Sequence, residues 1–129
     1  MKNVGWFSIL VAAALHTFAV ITEAQQPAKV PRIGYIAPTG PENTNYAAFL
    51  RGLRDLGYIE GKNILVEYRS MEGNRDRIPS LMAELVQLKV DILVSPNAPT
   101  ILAAKQATRT IANVMVVNTD PVASGLVLK

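Results

Sequence analysis

Apolar positions along residues 32–118 fall into two alternating rhythms. Short, nearly continuous apolar runs occupy residues 32–37, 64–68, 92–94 and 113–118. Between them the period lengthens. Tyr46, Phe49, Leu50, Leu53 and Leu56 recur at helical spacing, as do Ile78, Leu81, Met82, Leu85 and Leu88, and then Ile101, Ala104 and Ala107. The runs read as strands and the periodic stretches as amphipathic helices, because successive side chains repeat every 2 residues on a strand and every 3.6 on a helix. The predicted order is β-α-β-α-β-α-β. Strands separated by helices pair in parallel, which makes the fold class α/β, a three-layer sandwich with a parallel sheet.

Punctuation supports these boundaries. Pro38-Thr39-Gly40-Pro41 closes the first strand, and Asn43 or Asn45 is placed to cap the first helix. Gly57 is placed to end it. Pro79 is tolerable only because it lies near a helix start. Ile92, Leu93 and Val94 show no polar alternation, as expected of a central strand covered on both faces. The strand at 64–68 alternates more and belongs nearer the sheet edge, whereas 113–118 reads as another buried run. After Ser95-Pro96, Asn97 suits an N-cap and Pro99 the first turn of the third helix, which should end near Arg109.

The N-terminus follows a different logic. Lys2 precedes an almost wholly apolar stretch over residues 4–21, and Thr22-Glu23-Ala24 offers a cleavage site. Residues 1–24 are therefore expected to be a secretory signal peptide. Residues 25–31 form a polar, proline-bounded lead-in and residues 32–129 the folded part. His16, the single histidine, would leave with the signal, and the chain has no cysteine. The mature chain then lacks disulfides, histidine-dependent triads and the usual zinc ligands, and it cannot be lipidated through an N-terminal cysteine. The remaining composition, 50% hydrophobic and 18% charged, suits a small globular domain. A net charge of +3 spread over scattered Lys and Arg gives no nucleic-acid footprint.

Candidate chemistry collects at the carboxyl ends of the strands. Residues 57–63 lack the spacing and the Ser/Thr of a phosphate loop, and no G-x-G-x-x-G follows the first strand. Glu60, Glu67, Glu72 and Glu84 are too scattered to work as an acid/base pair. No catalytic residue, metal ligand or cofactor is expected. In an open α/β sheet, ligands sit beyond the strands' carboxyl ends. There the chain places Thr39, then Ser95, Asn97 and Thr100, then Thr119 and Asp120. Hydroxyls, an amide and helix N-terminal N–H groups suit a small anionic or zwitterionic ligand. A ligand carboxylate could rest on the third helix while Asp120 accepts an ammonium. The alternative is that Asn97 and Thr100 only cap that helix and Asp120 only makes the turn before Pro121.

An ordered series of segments carries a resemblance. Arg32-Ile-Gly-Tyr-Ile is followed by Phe49-Leu-Arg-Gly-Leu-Arg-Asp-Leu-Gly-Tyr-Ile-Glu-Gly-Lys-Asn-Ile, Asp76-Arg-Ile-Pro, Ala83-Glu-Leu-Val, Leu88-Lys-Val-Asp, Ala103-Ala-Lys-Gln-Ala-Thr and Asp120-Pro-Val-Ala-Ser-Gly-Leu-Val. Together they resemble the bacterial ABC-transporter substrate-binding proteins that include tryptophan- and tyrosine-associated members. The resemblance implies a partial first lobe of a type 1 periplasmic binding protein, not an enzyme. It would capture a small-molecule ligand, such as an amino acid, in the periplasm and deliver it to an ABC permease in the inner membrane. A monomer that binds no nucleic acid is expected. Ser95-Pro96-Asn97 departs from the small residue or glycine of such members, which bears on the ligand. Members run to about twice a single domain, so the chain reads as an N-terminal fragment whose second lobe is absent. Such a fragment is expected to bind ligand poorly, because a cleft needs two walls. The rivals are a flavodoxin-like or receiver-like enzyme or signalling domain, the effector domain of a transcription regulator, and a non-functional fragment.

Overall fold

A computed structural model describes residues 28–127; the signal-peptide reading of residues 1–24 lies outside them. Four strands, β1 (Arg32–Ala37), β2 (Leu65–Ser70), β3 (Ile92–Ser95) and β4 (Ala112–Met115), form one sheet in the order β2-β1-β3-β4. Every neighbouring pair is parallel, with Tyr35 opposite both Tyr68 and Val94. The helices are α1 (Thr44–Asp55), α2 (Ile78–Gln87) and α3 (Ala98–Ala107), with a short 3₁₀ turn, Arg75–Arg77, leading into α2.

Alternation along β1 builds two cores. Ile33, Tyr35 and Ala37 face α1, packing with Tyr46, Phe49, Leu50 and Leu53. Ile36 faces the other way, into a cluster of Leu81, Met82, Leu85, Leu93 and Ala104 from α2, β3 and α3. The result is an α/β/α sandwich. Gly34 sits beneath α2, where a Cβ would lie 3.0 Å from Leu85 Cδ1 and 3.1 Å from Leu93 Cδ2. Its missing side chain is the space that lets α2 approach the sheet.

The helix ends follow local chemistry. Asn43, rather than Asn45, caps α1, its side-chain oxygen accepting the Asn45 N–H at 2.8 Å. Gly57 leaves α1 at φ 88°, a left-handed conformation that glycine adopts without strain. Leu56 falls outside the helix and is 76% exposed, so it does not extend the apolar stripe. Helix α3 stops at Ala107, short of Arg109.

One expectation is corrected. The stretch at 113–118 is not a buried run: β4 ends at Met115 and alternates exposed and half-buried residues. Among the described residues it pairs on one side only, with Val114 50% and Val116 56% exposed. Apolar content alone does not distinguish a strand covered on both sides from one that is not; the neighbours do, and among the described residues β4 has a neighbour on one side only. The expected edge placement of β2 is observed.

At the amino ends of the strands, Asp91 ties the lead-in to the sheet. Its carboxylate accepts the Arg32 N–H at 2.8 Å and pairs with the Lys29 ammonium. The Lys29 hydrogen bond, followed by the Arg32 N–H, holds the Asp91 carboxyl below its ordinary range. A carboxyl lowered in the folded state stabilises the fold above its unfolded pKa of about 3.9, and that contribution is lost as pH falls through the folded value. Asp91→Asn is therefore expected to be less stable than the wild type at neutral pH. The difference should shrink below about pH 4, as followed by urea denaturation across pH. A difference that stays constant through that window would assign the effect to packing.

Candidate functional site

Because the strands are parallel, all four carboxyl ends lie on one edge of the sheet. Strands β1 and β3 are neighbours there, yet β1 leads into α1 on one face and β3 into α3 on the other. Their loops diverge and leave a crevice, the kind of switch point at which α/β sheets hold ligands.

Asn97 stands at this crevice. Its side-chain oxygen accepts the Thr100 N–H at 3.1 Å, and Thr100 Oγ1 accepts the Asn97 N–H at 3.4 Å, a reciprocal capping box at the start of α3. Thr100 is fully buried, and its hydroxyl also donates to the Asn97 carbonyl at 2.8 Å. Ser95 is buried too, donating from Oγ to Asn113 Oδ1 at 2.7 Å across the β3–β4 pair. These two hydroxyls brace the loop from beneath.

Thr39 is exposed on the loop after β1. Its hydroxyl accepts from Asn43 Nδ2 at 3.2 Å, and its carbonyl accepts from the Tyr68 hydroxyl. Thr119 and Asp120 are exposed beyond β4. Asp120 Oδ1 accepts the Val122 N–H at 2.9 Å, and Ser124 Oγ lies 3.4 Å from Thr119 Oγ1.

Two hollows flank the crevice. One, of about 260 Å³, is lined by Asn97 and Pro99 together with Pro38, Met71, Gly73, Arg75 and Ile78. The other, of about 360 Å³, lies on the α1 side between Tyr35, Asn45, Ala48, Phe49, Pro96 and Val116. Of the six residues named from sequence, Asn97 alone lines either hollow. The β2–α2 loop, with Gly73 and Arg75, escaped the sequence reading. The signal was present: in an all-parallel sheet the loop after the second strand emerges on the same edge as the others, and it carries a cation.

An aromatic cluster floors the α1 side. Tyr35 and Tyr46 meet edge-on at 5.1 Å between ring centroids, Tyr46 and Tyr68 lie 4.4 Å apart, and Tyr35 and Phe49 are at 5.2 Å. Burial, with smaller contributions from Glu60, Tyr68 and Tyr35, pushes the Tyr46 phenol up to about 12. Burial also raises Tyr35 and Tyr68. These phenols remain protonated at neutral pH and offer apolar ring surface and hydroxyl donors. Among the described residues no group of His, Cys, Asp and Glu is placed to hold a metal ion, and no helix is long and apolar enough to cross a membrane.

Comparison with known proteins gives a consistent picture. Residues 41–129 match the family model described as ABC transporter substrate binding protein. A tyrosine-binding protein of Clostridioides difficile strain R20291 is 33% identical over 79 residues, which are 61% of this chain and 23% of that protein. A conserved domain protein from Vibrio cholerae superposes with a TM-score of 0.70 at 30% identity, covering 78% of this chain and 35% of that one. The ligand-free, open form of a Clostridium difficile substrate-binding protein with adhesive properties gives 0.68 at 25% identity, over 78% and 35%. A Streptococcus ABC domain in complex with L-Trp gives 0.67 at 22% identity, over 77% and 34%, a likeness of fold alone. The chain thus spans 23% of the curated relative's length and about a third of each solved structure.

Proposed function

The chain belongs to the ABC transporter substrate-binding protein family, and from that premise we propose that its described residues form one wall of a cleft that captures a small zwitterionic ligand for an ABC permease. The observation that carries this reading is the switch-point crevice, where the α3 N-terminus and Arg75 meet an apolar hollow. A ligand carboxylate sits near Asn97, where the helix dipole and the Arg75 guanidinium favour negative charge. Thr39 offers its exposed hydroxyl, Ser95 and Thr100 keep the loop in place, and Thr119 and Asp120 reach the ligand's ammonium from the β4 exit. An aromatic side chain suits the hollow beside Tyr35 and Phe49, and the tyrosine-binding relative makes tyrosine the first ligand to try. Residues 1–24 direct the protein to the periplasm as a soluble, non-lipidated receptor. Its role is binding, with no bond made or broken.

A single wall supplies about half the contacts of a closed cleft. If a two-lobed receptor binds near micromolar, half that free energy corresponds to a Kd of roughly 1 mM. Titrating L-tyrosine and L-tryptophan into the labelled chain and following amide shifts by NMR tests this. The expected result is weak, localised shifts at Thr39, Gly73, Arg75 and Asn97, reduced in Asn97→Ala. Shifts confined to the opposite edge around Tyr58 and Ile59, or none at millimolar ligand, would defeat the reading.

A further inference from the structure

Asn97 uses only half of its side chain to cap α3. Oδ1 accepts the Thr100 N–H at 3.1 Å and lies 3.1 Å from the Thr100 hydroxyl, so the capping box fixes which way the amide is turned. With Oδ1 turned back over the helix start, Nδ2 is turned away from it. Its two N–H donors have no partner among the described residues, and the atom is not buried. Arg75 is in the same condition. Its guanidinium is exposed and makes no ion pair among the described residues, whereas Arg77 is held by Glu72 at 2.7 Å. Both Asn97 and Arg75 line the hollow of about 260 Å³. Its other walls, Pro38, Met71, Gly73, Ile78 and Pro99, bring no carboxylate. The carbonyls of Pro38 and Met71 already accept the Gly73 and Asn74 N–H groups at 2.9 Å. What remains free in the hollow is donors set among apolar walls.

We propose that Asn97 Nδ2 and the Arg75 guanidinium form a donor-only subsite that selects ligands by their carboxylate, separately from the capping role of Asn97 Oδ1. This selectivity presupposes the cleft reading above and assigns one end of that cleft to named atoms. A carboxylate offers only acceptors, so its two oxygens can take an N–H from each residue while its charge faces Arg75. A neutral carboxamide brings an NH2 group of its own to the same donors and no charge to the guanidinium, so one donor is left without an acceptor. Asn97 itself closes the α3 terminus, and side chains supply the free donors. All the lining residues lie between positions 38 and 99, so the hollow is built before β4 begins.

NMR titration of the labelled chain with L-tryptophan and L-tryptophanamide tests this at about pH 6, where both α-amino groups are charged. The two probes differ only in carboxylate against carboxamide. The wild type should bind the acid at least about tenfold more tightly than the amide, read from the shifts of Gly73, Arg75 and Asn97. Asn97→Asp keeps the cap, because Asn and Asp serve equally well there, and its melting temperature should match the wild type. It replaces the donors with a negative charge, so the preference for the acid should vanish. Arg75→Gln should cut the preference several-fold. Lys62→Gln removes the same charge from the exposed loop at the opposite edge of the sheet, and should leave the preference within about twofold of wild type. Equal binding of the two probes at the crevice overturns the inference and leaves the cleft reading standing. So does an Asn97→Asp variant that still prefers the acid. Absence of crevice shifts with either probe defeats both.

Discussion

Leu85→Ala is expected to lower the unfolding free energy by about 4 kcal/mol, toward the upper part of the range for buried leucines. Leu85 is wholly buried and belongs to the cluster that joins α2 to β1, β3 and α3. The size of the effect comes from what lies beneath it. The methyl groups of Leu85 approach Gly34, which has no side chain to move into the gap, and Leu93 already occupies the adjoining space. The cavity therefore persists, and the lost contacts add to the lost transfer free energy. For a domain whose total stability is on the order of 5–15 kcal/mol, that is a large share. Urea denaturation followed by circular dichroism should show a lower midpoint with an unchanged slope. A loss below about 1 kcal/mol would mean that the site collapses around the smaller side chain.

The opposite face carries the second large effect. Tyr46→Ala is expected to cost about 3–4 kcal/mol, the range for removing a buried aromatic ring. Tyr46 is 6% exposed and stands between Tyr35 and Tyr68, with centroid distances of 5.1 and 4.4 Å. Removing it takes away both pairings, each contributing about 0.5–1.5 kcal/mol beyond area burial. Tyr46→Phe keeps the ring and its contacts, and should change stability by less than about 1 kcal/mol. The near-ultraviolet tyrosine band gives a second readout: it should fall in Tyr46→Ala and survive in Tyr46→Phe. Equal losses in the two variants would shift the energetic weight from the ring to the hydroxyl. Since α1 and α2 pack on opposite faces, the Leu85 and Tyr46 losses should add when combined, as independent sites do.

The outline of the sandwich was legible because each element carries its own period and its own stop. The stripe from Tyr46 to Leu53, the Asn43 cap and the left-handed Gly57 lie within a few residues of one another, so they can be read locally. The same holds for Asn97, Pro99 and Thr100, whose capping box is a four-residue event. The candidate site was legible to the extent that it rests on such local events. Arg75 is different. Its place beside Asn97 depends on β2 lying next to β1 while β3 flanks β1 on the other side, an arrangement made of pairings between distant residues. Likewise Ser95 is apolar in neither name nor pattern, yet it is buried because Asn113, 18 residues later, supplies its hydrogen-bond partner.

By itself the sequence determined the order of elements, the parallel α/β class, the caps that end the helices and the absence of cysteine chemistry, all set by neighbours along the chain. The tertiary structure alone decided that the apolar run at β4 is alternately exposed and half-buried instead of buried. Val94 and Val114 are equally apolar and stand opposite one another in the β3–β4 pair, yet Val94 is buried and Val114 is half exposed. The difference is made by what packs beside them. Strand β3 is hydrogen-bonded on both sides, whereas among the described residues β4 has one partner, and no periodicity along a chain records how many neighbours a strand will find.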